Sequence, residues 1–170
     1  MMLFHTIALI LLSMSVSPSQ SSSPESMGEA PPGFVLWTPE RLATTIERLD
    51  RELGDKRLVF EAYGNYERHS VYLVLRGTTS PAELHETEAD LYVVRRGHAT
   101  LVVGGELVDA EKGPRKQQRG SSVRGGYRRE IGPGDVIHIP VGVPHQLILP
   151  EGESFLYDLT KFNEEPLAER

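Results

Sequence analysis

The sequence predicts an all-β sandwich or barrel that is preceded by a single α-helix. From residue 57 onward, short apolar runs of strand length are separated by Gly and Pro residues, which is typical of sandwiches and barrels. Before that point, one segment repeats its apolar residues at helical spacing. The chain shows no internal repeat, so we expect one such barrel rather than two.

Length and composition restrict the class of protein. A chain of 170 residues has room for one domain with extensions. Its hydrophobic fraction of 39% and charged fraction of 25% are ordinary for a globular protein. The net charge of −6 argues against general nucleic-acid binding. The absence of cysteine excludes a disulfide framework, a thiolate metal site and a cysteine nucleophile.

Residues 1–19 are predicted to be a secretory signal. The apolar run Thr6–Val16 is too short to span a bilayer, and the small residues Ser17 and Ser19 offer a cleavage site. Because no Lys or Arg precedes this run, an uncleaved apolar N-terminal anchor is the alternative. We expect a secreted or periplasmic protein that has no membrane attachment after cleavage.

Residues 20–37 are rich in Ser, Pro and Gly at their start, which predicts a flexible linker. The last four of them, Phe34 to Trp37, are apolar and are expected to dock on the domain.

The segment 38–56 is predicted to hold one helix, residues 39–53. Thr38 is suited to the N-cap and Pro39 to the first helical position, and Gly54 is suited to the C-cap. Four apolar residues recur at helical spacing and define one face: Leu42, Ile46, Leu49 and Leu53. We expect this face to pack on the outside of the barrel or across a subunit contact.

The barrel is predicted to span residues 57–162, followed by a C-terminal tail at 163–170. The Gly104-Gly105 pair between two apolar runs predicts a hairpin. The predicted strands are 57–61, 69–76, 82–86, 90–96, 98–103, 106–109, 128–131, 135–139, 145–149 and 154–162.

Two of these strands carry side chains suited to metal binding. Residues two apart on a strand point to the same face, so Glu83 and His85 are presented together, and so are Asp90 and Tyr92. Imidazole and carboxylate groups on facing strands can hold Fe, Mn, Ni or Zn. His145, on a later strand, would complete the set.

The spacing of these residues resembles the first motif of the cupin superfamily. That motif is a glycine, five residues, His-x-His, three or four residues, Glu, six residues and Gly. This chain has Gly77, Glu83, His85, Asp90 and Gly97 at the corresponding positions.

The second cupin motif is also matched in spacing. It is a glycine, five residues, Pro-x-Gly, two residues, His, three residues and Asn. This chain has Gly134, Pro140, Gly142, His145 and Leu149 there. With the flanking strands, the resemblance covers about residues 57–162.

The resemblance implies a double-stranded β-helix, which is a jelly-roll barrel, and a homodimer paired through outer strands. It also implies Glu83, His85, Asp90 and His145 as metal ligands. The chain departs from the family where Glu83 replaces a histidine, Asp90 a glutamate and Leu149 an asparagine. Because many cupins have degraded ligand sets, a metal-free barrel remains the alternative.

Four further residues are candidates for the pocket or for the surroundings of the metal ligands. Tyr92 shares a strand face with Asp90, and His138 precedes the Pro140 turn. Arg76 and Lys161 end apolar strands. Either could point inward to bind a carboxylate or phosphate, or could reach solvent from the strand end. His138 could also be a core histidine.

Residues 112–129 contain seven Lys or Arg residues and no acidic residue, which leaves 11 basic and 24 acidic residues and a net charge of −13 elsewhere. This basic segment is predicted to be an exposed loop. The alternative is a lid that brings Arg119, Arg124 or Arg128 toward an anionic ligand.

Three functions are compatible with these features. The first is a metal-dependent enzyme, such as a dioxygenase, lyase or isomerase, that acts on a small molecule. The second is a metal-free module that binds a small-molecule ligand without catalysis. The third is metal-free acid–base catalysis by Glu83 or Asp90 beside a histidine. The sequence does not indicate the substrate.

Overall fold

The computed structural model describes residues 28–166, so the predicted signal at residues 1–19 lies outside the described residues. The chain divides into two units, residues 1–34 and 35–170. In the described part of the first unit, the Phe34 amide donates a hydrogen bond to the Pro31 carbonyl at 3.1 Å. Within residues 28–166, no helix has the length and apolar character needed to cross a membrane.

The helix α1 spans Pro39–Leu53, as predicted. The Thr38 side chain caps it by accepting a hydrogen bond from the Arg41 amide at 3.2 Å. The predicted apolar face packs on the outer side of a sheet, where the buried Leu49 meets Leu73 and Leu75. Of the apolar residues before the helix, Trp37 packs against the Tyr63 ring at 4.2 Å between centroids, whereas Val35 and Leu36 are exposed.

Thirteen strands follow within the described residues. They are β1 Leu58–Asn65, β2 His69–Arg76, β3 Ala82–His85, β4 Glu88–Arg96, β5 Ala99–Val103, β6 Glu106–Val108, β7 Glu111–Lys112, β8 Gln117–Gly120, β9 Ser122–Arg124, β10 Tyr127–Ile131, β11 Val136–Ile139, β12 His145–Ile148 and β13 Phe155–Asn163.

The strands form two main antiparallel sheets. One has the order β1-β2-β13-β4-β11 and the other has the order β10-β5-β12-β3-β8-β7. Leaving aside β1 and the short strands β6 to β9, the chain changes sheet at every step except between β5 and β10, which pair as neighbours. This repeated crossing between two sheets is a jelly roll, so the predicted fold class is confirmed.

The main core lies between the two sheets. Alternate residues of each strand contribute to it, and members from both sheets are buried together: Val74, Tyr92, Val94, Ala99, Leu101, Ile131, Ile139, Leu147, Leu149, Phe155 and Tyr157. Leu149, which replaces the terminal asparagine of the second motif, is one of these core residues.

Two predictions for the region between the motifs are wrong. The Gly104-Gly105 pair does not form a hairpin, because β5 pairs with β10 and β12 while β6 pairs with β9 in a separate two-stranded sheet. Both glycines have positive φ, 78° and 76°, and they lead the chain out of the sheet that contains β5 into the separate sheet of β6 and β9. The basic segment 112–129 is not a single exposed loop either, because it contributes β8, β9 and part of β10.

Candidate functional site

Three predicted ligands converge between the sheets. Glu83 and His85 lie on β3, and His145 lies on the neighbouring strand β12 with its Cα opposite that of Glu83. One potential ligand atom from each residue lies within 4.8 Å of the others. His85 and His145 are buried, with 4% and 3% of their surface exposed. The pairing of β3 with β12 therefore places one carboxylate and two imidazoles together.

The hydrogen bonding of His145 directs one ring nitrogen into this group. Its Nδ1 lies 3.1 Å from the Val143 carbonyl oxygen, to which it can only donate. The Nε2 atom has no hydrogen-bond partner in the described structure. Burial lowers the pKa of His145, although the charge of Asp90 partly opposes this effect. A neutral ring with Nδ1 protonated leaves the Nε2 lone pair available.

Asp90 lies beside this group but has a different partner. It stands on β4, opposite Lys161 of β13, and Lys161 Nζ lies 2.9 Å from Asp90 Oδ1. The other oxygen, Oδ2, lies 3.5 Å from His85 Nε2 and 3.6 Å from His145 Nε2. All four predicted ligands are thus neighbours, but the Asp90 carboxylate is already bound by an ammonium group.

Lys161 also contacts His85. Its Nζ lies 3.2 Å from His85 Nε2, which accepts from the ammonium group when it carries no proton and donates to Asp90 Oδ2 when it does. Lys161 Nζ lies 3.2 Å from a further carboxylate oxygen, Oε2 of Glu88. Burial alone would lower the pKa of Lys161, but the charges of Asp90 and Glu88 outweigh it and raise the pKa.

The same contacts keep Asp90 ionised. Burial would raise the pKa of Asp90, but the hydrogen bond with His85 and the charge of Lys161 outweigh it, so that the pKa lies below its usual value.

Sequence reasoning missed Glu88, which is 2% exposed. The predicted strand began at residue 90, whereas β4 begins at Glu88. The period of two that links Asp90, Tyr92 and Val94 extends back to Glu88 and could have revealed it. Glu88 forms ion pairs with Lys161 and with Arg115.

Four of these residues, Glu83, Glu88, Asp90 and Lys161, line one cavity of about 320 Å³, a size suited to a small molecule. Its lining combines apolar, aromatic and charged side chains: Leu58, Phe60, Tyr72, Val74, Arg76, Glu83, Glu88, Asp90, Tyr92, Arg115, Gln117, Arg119, Tyr157, Leu159 and Lys161. The hydroxyl of Tyr92 donates a hydrogen bond to Asp90 Oδ2 at 3.3 Å. Arg76 and Lys161 both point inward rather than to solvent.

His138 does not belong to the cavity. It shares its strand parity with Val136, and both residues are exposed, whereas Ile139 is buried. The alternation of β11 therefore turns His138 to the outer face, which corrects its prediction as a pocket residue.

The basic segment divides between the cavity and the solvent. Arg115 and Arg119 line the cavity, and Arg119 Nε lies 3.2 Å from Glu83 Oε1. Arg124 instead pairs with the exposed Glu106, and Arg128 is exposed on β10. Only part of the segment thus faces the site.

The residues present fit a divalent metal ion in donor type. One carboxylate and two imidazoles suit Fe, Mn, Ni or Zn, and the unpartnered Nε2 of His145 is directed toward them. Two cations lie close to the other donors, since Arg119 pairs with Glu83 and Lys161 contacts His85. A metal ion would have to replace these two contacts.

No protein-family model matches the chain, and no curated protein sequence matches it either. The solved structures that it resembles are distant in sequence. The Schizosaccharomyces pombe Cnp3 cupin domain is 12% identical over 62% of this chain and 61% of that chain, with a TM-score of 0.47. TT1209 from Thermus thermophilus is 18% identical over 69% of this chain and 93% of that chain, with a TM-score of 0.49.

A third similar structure is the DMSP lyase DddQ from Ruegeria pomeroyi, 18% identical over 68% of this chain and 51% of that chain, with a TM-score of 0.47. The chain thus spans less than two thirds of the length of two of these three structures. Its own strand order is that of a two-sheet jelly roll with β3 of the first motif beside β12 of the second, which is the fold that the cupin resemblance implies.

Proposed function

We propose that Glu83, His85 and His145 bind one divalent metal ion, and that the cavity beside them binds a small molecule. Such a metal ion would act as a Lewis acid or bind oxygen, so the protein would be a metal-dependent enzyme such as a dioxygenase, lyase or isomerase. The observation that carries this proposal is the convergence of the three ligand atoms within 4.8 Å.

The proposed ligand set is smaller than the sequence implied. Asp90 is left out because Lys161 neutralises it, and the lysine keeps two carboxylate partners, Asp90 and Glu88, after it gives up His85. Two histidines and one carboxylate form the facial set found at non-haem iron sites.

The test is the metal content of protein purified without chelator. We expect about one equivalent of Fe, Mn, Ni or Zn, lost in His85→Ala and His145→Ala. His138→Ala is the matched control, because it removes an exposed histidine outside the cavity and should keep the metal. Wild-type protein that neither contains a metal ion nor takes one up on dialysis would refute the proposal.

A second candidate function is metal-free binding of a small molecule. It is supported by the two cations that already occupy the donors, Lys161 at His85 and Arg119 at Glu83. It predicts that a ligand raises the melting temperature in the presence of chelator. The acid–base hypothesis loses Asp90 as a general acid, because the lowered pKa of Asp90 keeps its carboxylate ionised.

We also propose export of the protein and the formation of a homodimer. Export rests on the sequence of residues 1–19 and is tested by fractionation of cells that express the full chain. The proposed homodimer is supported by β1, which is an edge strand of its sheet. A molar mass of one chain by light scattering would contradict it.

A further inference from the structure

Arg76 is a buried cation without a carboxylate partner. It is 7% exposed and lines the cavity, and its Nε atom has no hydrogen-bond partner. Among residues 28–166, no carboxylate oxygen lies within the 4.0 Å ion-pair distance of its guanidinium. A buried charge is costly unless it is paired, and this arginine hydrogen-bonds the neutral Tyr157 hydroxyl but has no carboxylate partner among the described residues.

The charges of the cavity lining identify Arg76 as the unpaired one. The lining holds four cationic residues and three carboxylates. Glu83 pairs with Arg119, Glu88 with both Arg115 and Lys161, and Asp90 with Lys161. All three carboxylates and three of the cations are therefore accounted for, and the remaining positive charge lies on Arg76.

The surroundings of Arg76 are largely apolar and aromatic. Leu58 stands opposite it in the β1–β2 register, and Val74 precedes it on the same face of β2. The Tyr157 hydroxyl lies close enough for the guanidinium charge to offset part of the rise in the Tyr157 pKa that burial causes. A ligand held at Arg76 would meet these side chains, while the other charged residues of the lining are already paired with one another.

We propose that Arg76 binds the single carboxylate of a small, otherwise apolar molecule in this cavity. This inference rests on the proposed function, because it names the class of molecule that the metal-binding cavity accepts. One unpaired positive charge matches one carboxylate, and the planar guanidinium can bind it through two parallel hydrogen bonds. A phosphate dianion would exceed the single free charge.

The experiment is isothermal titration of the protein with hexanoate, its neutral counterpart hexanamide, and inorganic phosphate. The wild type is expected to bind hexanoate in preference to the other two. Arg76→Met should weaken hexanoate binding by roughly tenfold to a hundredfold, the value of a charged hydrogen-bond pair. Arg76→Lys should bind hexanoate with an intermediate affinity, because lysine keeps the positive charge but lacks the two parallel N–H donors of the guanidinium.

The matched control is Arg128→Met, which removes the same charge from an exposed position on β10 and should leave binding unchanged. If Arg76→Met does not fold, Arg76→Lys retains the test. Equal affinity for hexanoate and hexanamide, binding unchanged in the folded Arg76 variants, or no hexanoate binding by the wild type would each overturn the proposal. Preference for phosphate would overturn it as well.

Metal content measured on the same preparations separates this inference from the proposed function. We expect Arg76→Met to retain the metal, and wild-type protein in chelator to retain hexanoate binding. If chelator abolishes binding while Arg76→Met binds normally, the metal alone holds the carboxylate and the inference fails. If the protein has no metal but hexanoate binding depends on Arg76, the metal proposal fails and the carboxylate site stands.

Discussion

The two cationic groups inside the barrel differ in how their charges are balanced. Lys161 lies among Asp90, Glu88 and His85, so each of its three ammonium hydrogens has a potential acceptor. Arg76 lines the same cavity and has no carboxylate within ion-pair distance in the described structure. The first cation therefore completes a network within the chain, whereas the second requires a partner from outside.

This difference assigns Lys161 to the stability of the fold and Arg76 to the binding of a ligand. Removing Lys161 would leave the buried Asp90 without its ammonium partner and Glu88 with Arg115 alone, whereas removing Arg76 would leave no carboxylate unpaired. Substitutions of these and neighbouring residues can separate the two roles.

The largest expected effect is that of Lys161→Met on stability. Breaking a buried ion pair from one side typically costs about 3–5 kcal/mol, so we expect the free energy of unfolding in urea to fall by that order. Arg76→Met should change it by less than about 1 kcal/mol, since a cation of similar volume is replaced without leaving a carboxylate unpaired. Equal losses of unfolding free energy in Lys161→Met and Arg76→Met would contradict the separate roles of the two cations.

A smaller effect on the free energy of unfolding is expected for Arg115, which lines the cavity. Arg115 pairs with Glu88, whose side chain is 1% exposed, while Arg124 pairs with Glu106, whose side chain is 74% exposed. Arg115→Met should lower the free energy of unfolding by roughly 1–2 kcal/mol, since Lys161 still partners Glu88. Arg124→Met, the matched control, should show no measurable change. A loss at Arg124 as large as at Arg115 would contradict the role of burial.

The smallest effect on stability is expected for Glu83→Gln. Its partner Arg119 is 62% exposed in its side chain, so the pair contributes at most about 1 kcal/mol. The same substitution removes the carboxylate of the proposed metal group and should lower metal content in elemental analysis. Full metal content in this variant would show that Glu83 is not a ligand and would indicate Asp90 as the carboxylate ligand instead.

The sequence was most informative where a local rule applied. The cap at Thr38 and the apolar repeat through Leu49 predicted α1 with the bounds observed, because capping and helical periodicity act within a few residues. The spacing within each motif likewise identified His85 and His145, which lie on the neighbouring strands β3 and β12. The alternation along β11 places His138 on the same face as Val136. The exposure of Val136 in the structure shows that this face points outward.

The predictions failed where a residue's role depended on distant pairing. The strands β7, β8 and β9 carry few apolar residues, so their sequences lack the hydrophobic alternation that predicts a strand. They form because they pair with β3 and β6 and with one another. Arg115 meets Glu88 through this pairing, although 26 residues of chain lie between them.

The sequence by itself determined the helix and most of the strands, since each depends on short-range spacing, and the match to the two motifs implied the jelly-roll class and four candidate ligands, of which three converge. Only the tertiary structure decided which charges neutralise one another. Lys161 stands opposite Asp90 because β13 pairs with β4, and that register is set by the packing of two sheets about a common core. The sequence left Lys161 and Arg76 as equivalent strand-end cations, and the burial of one among carboxylates and the other among apolar groups distinguishes them.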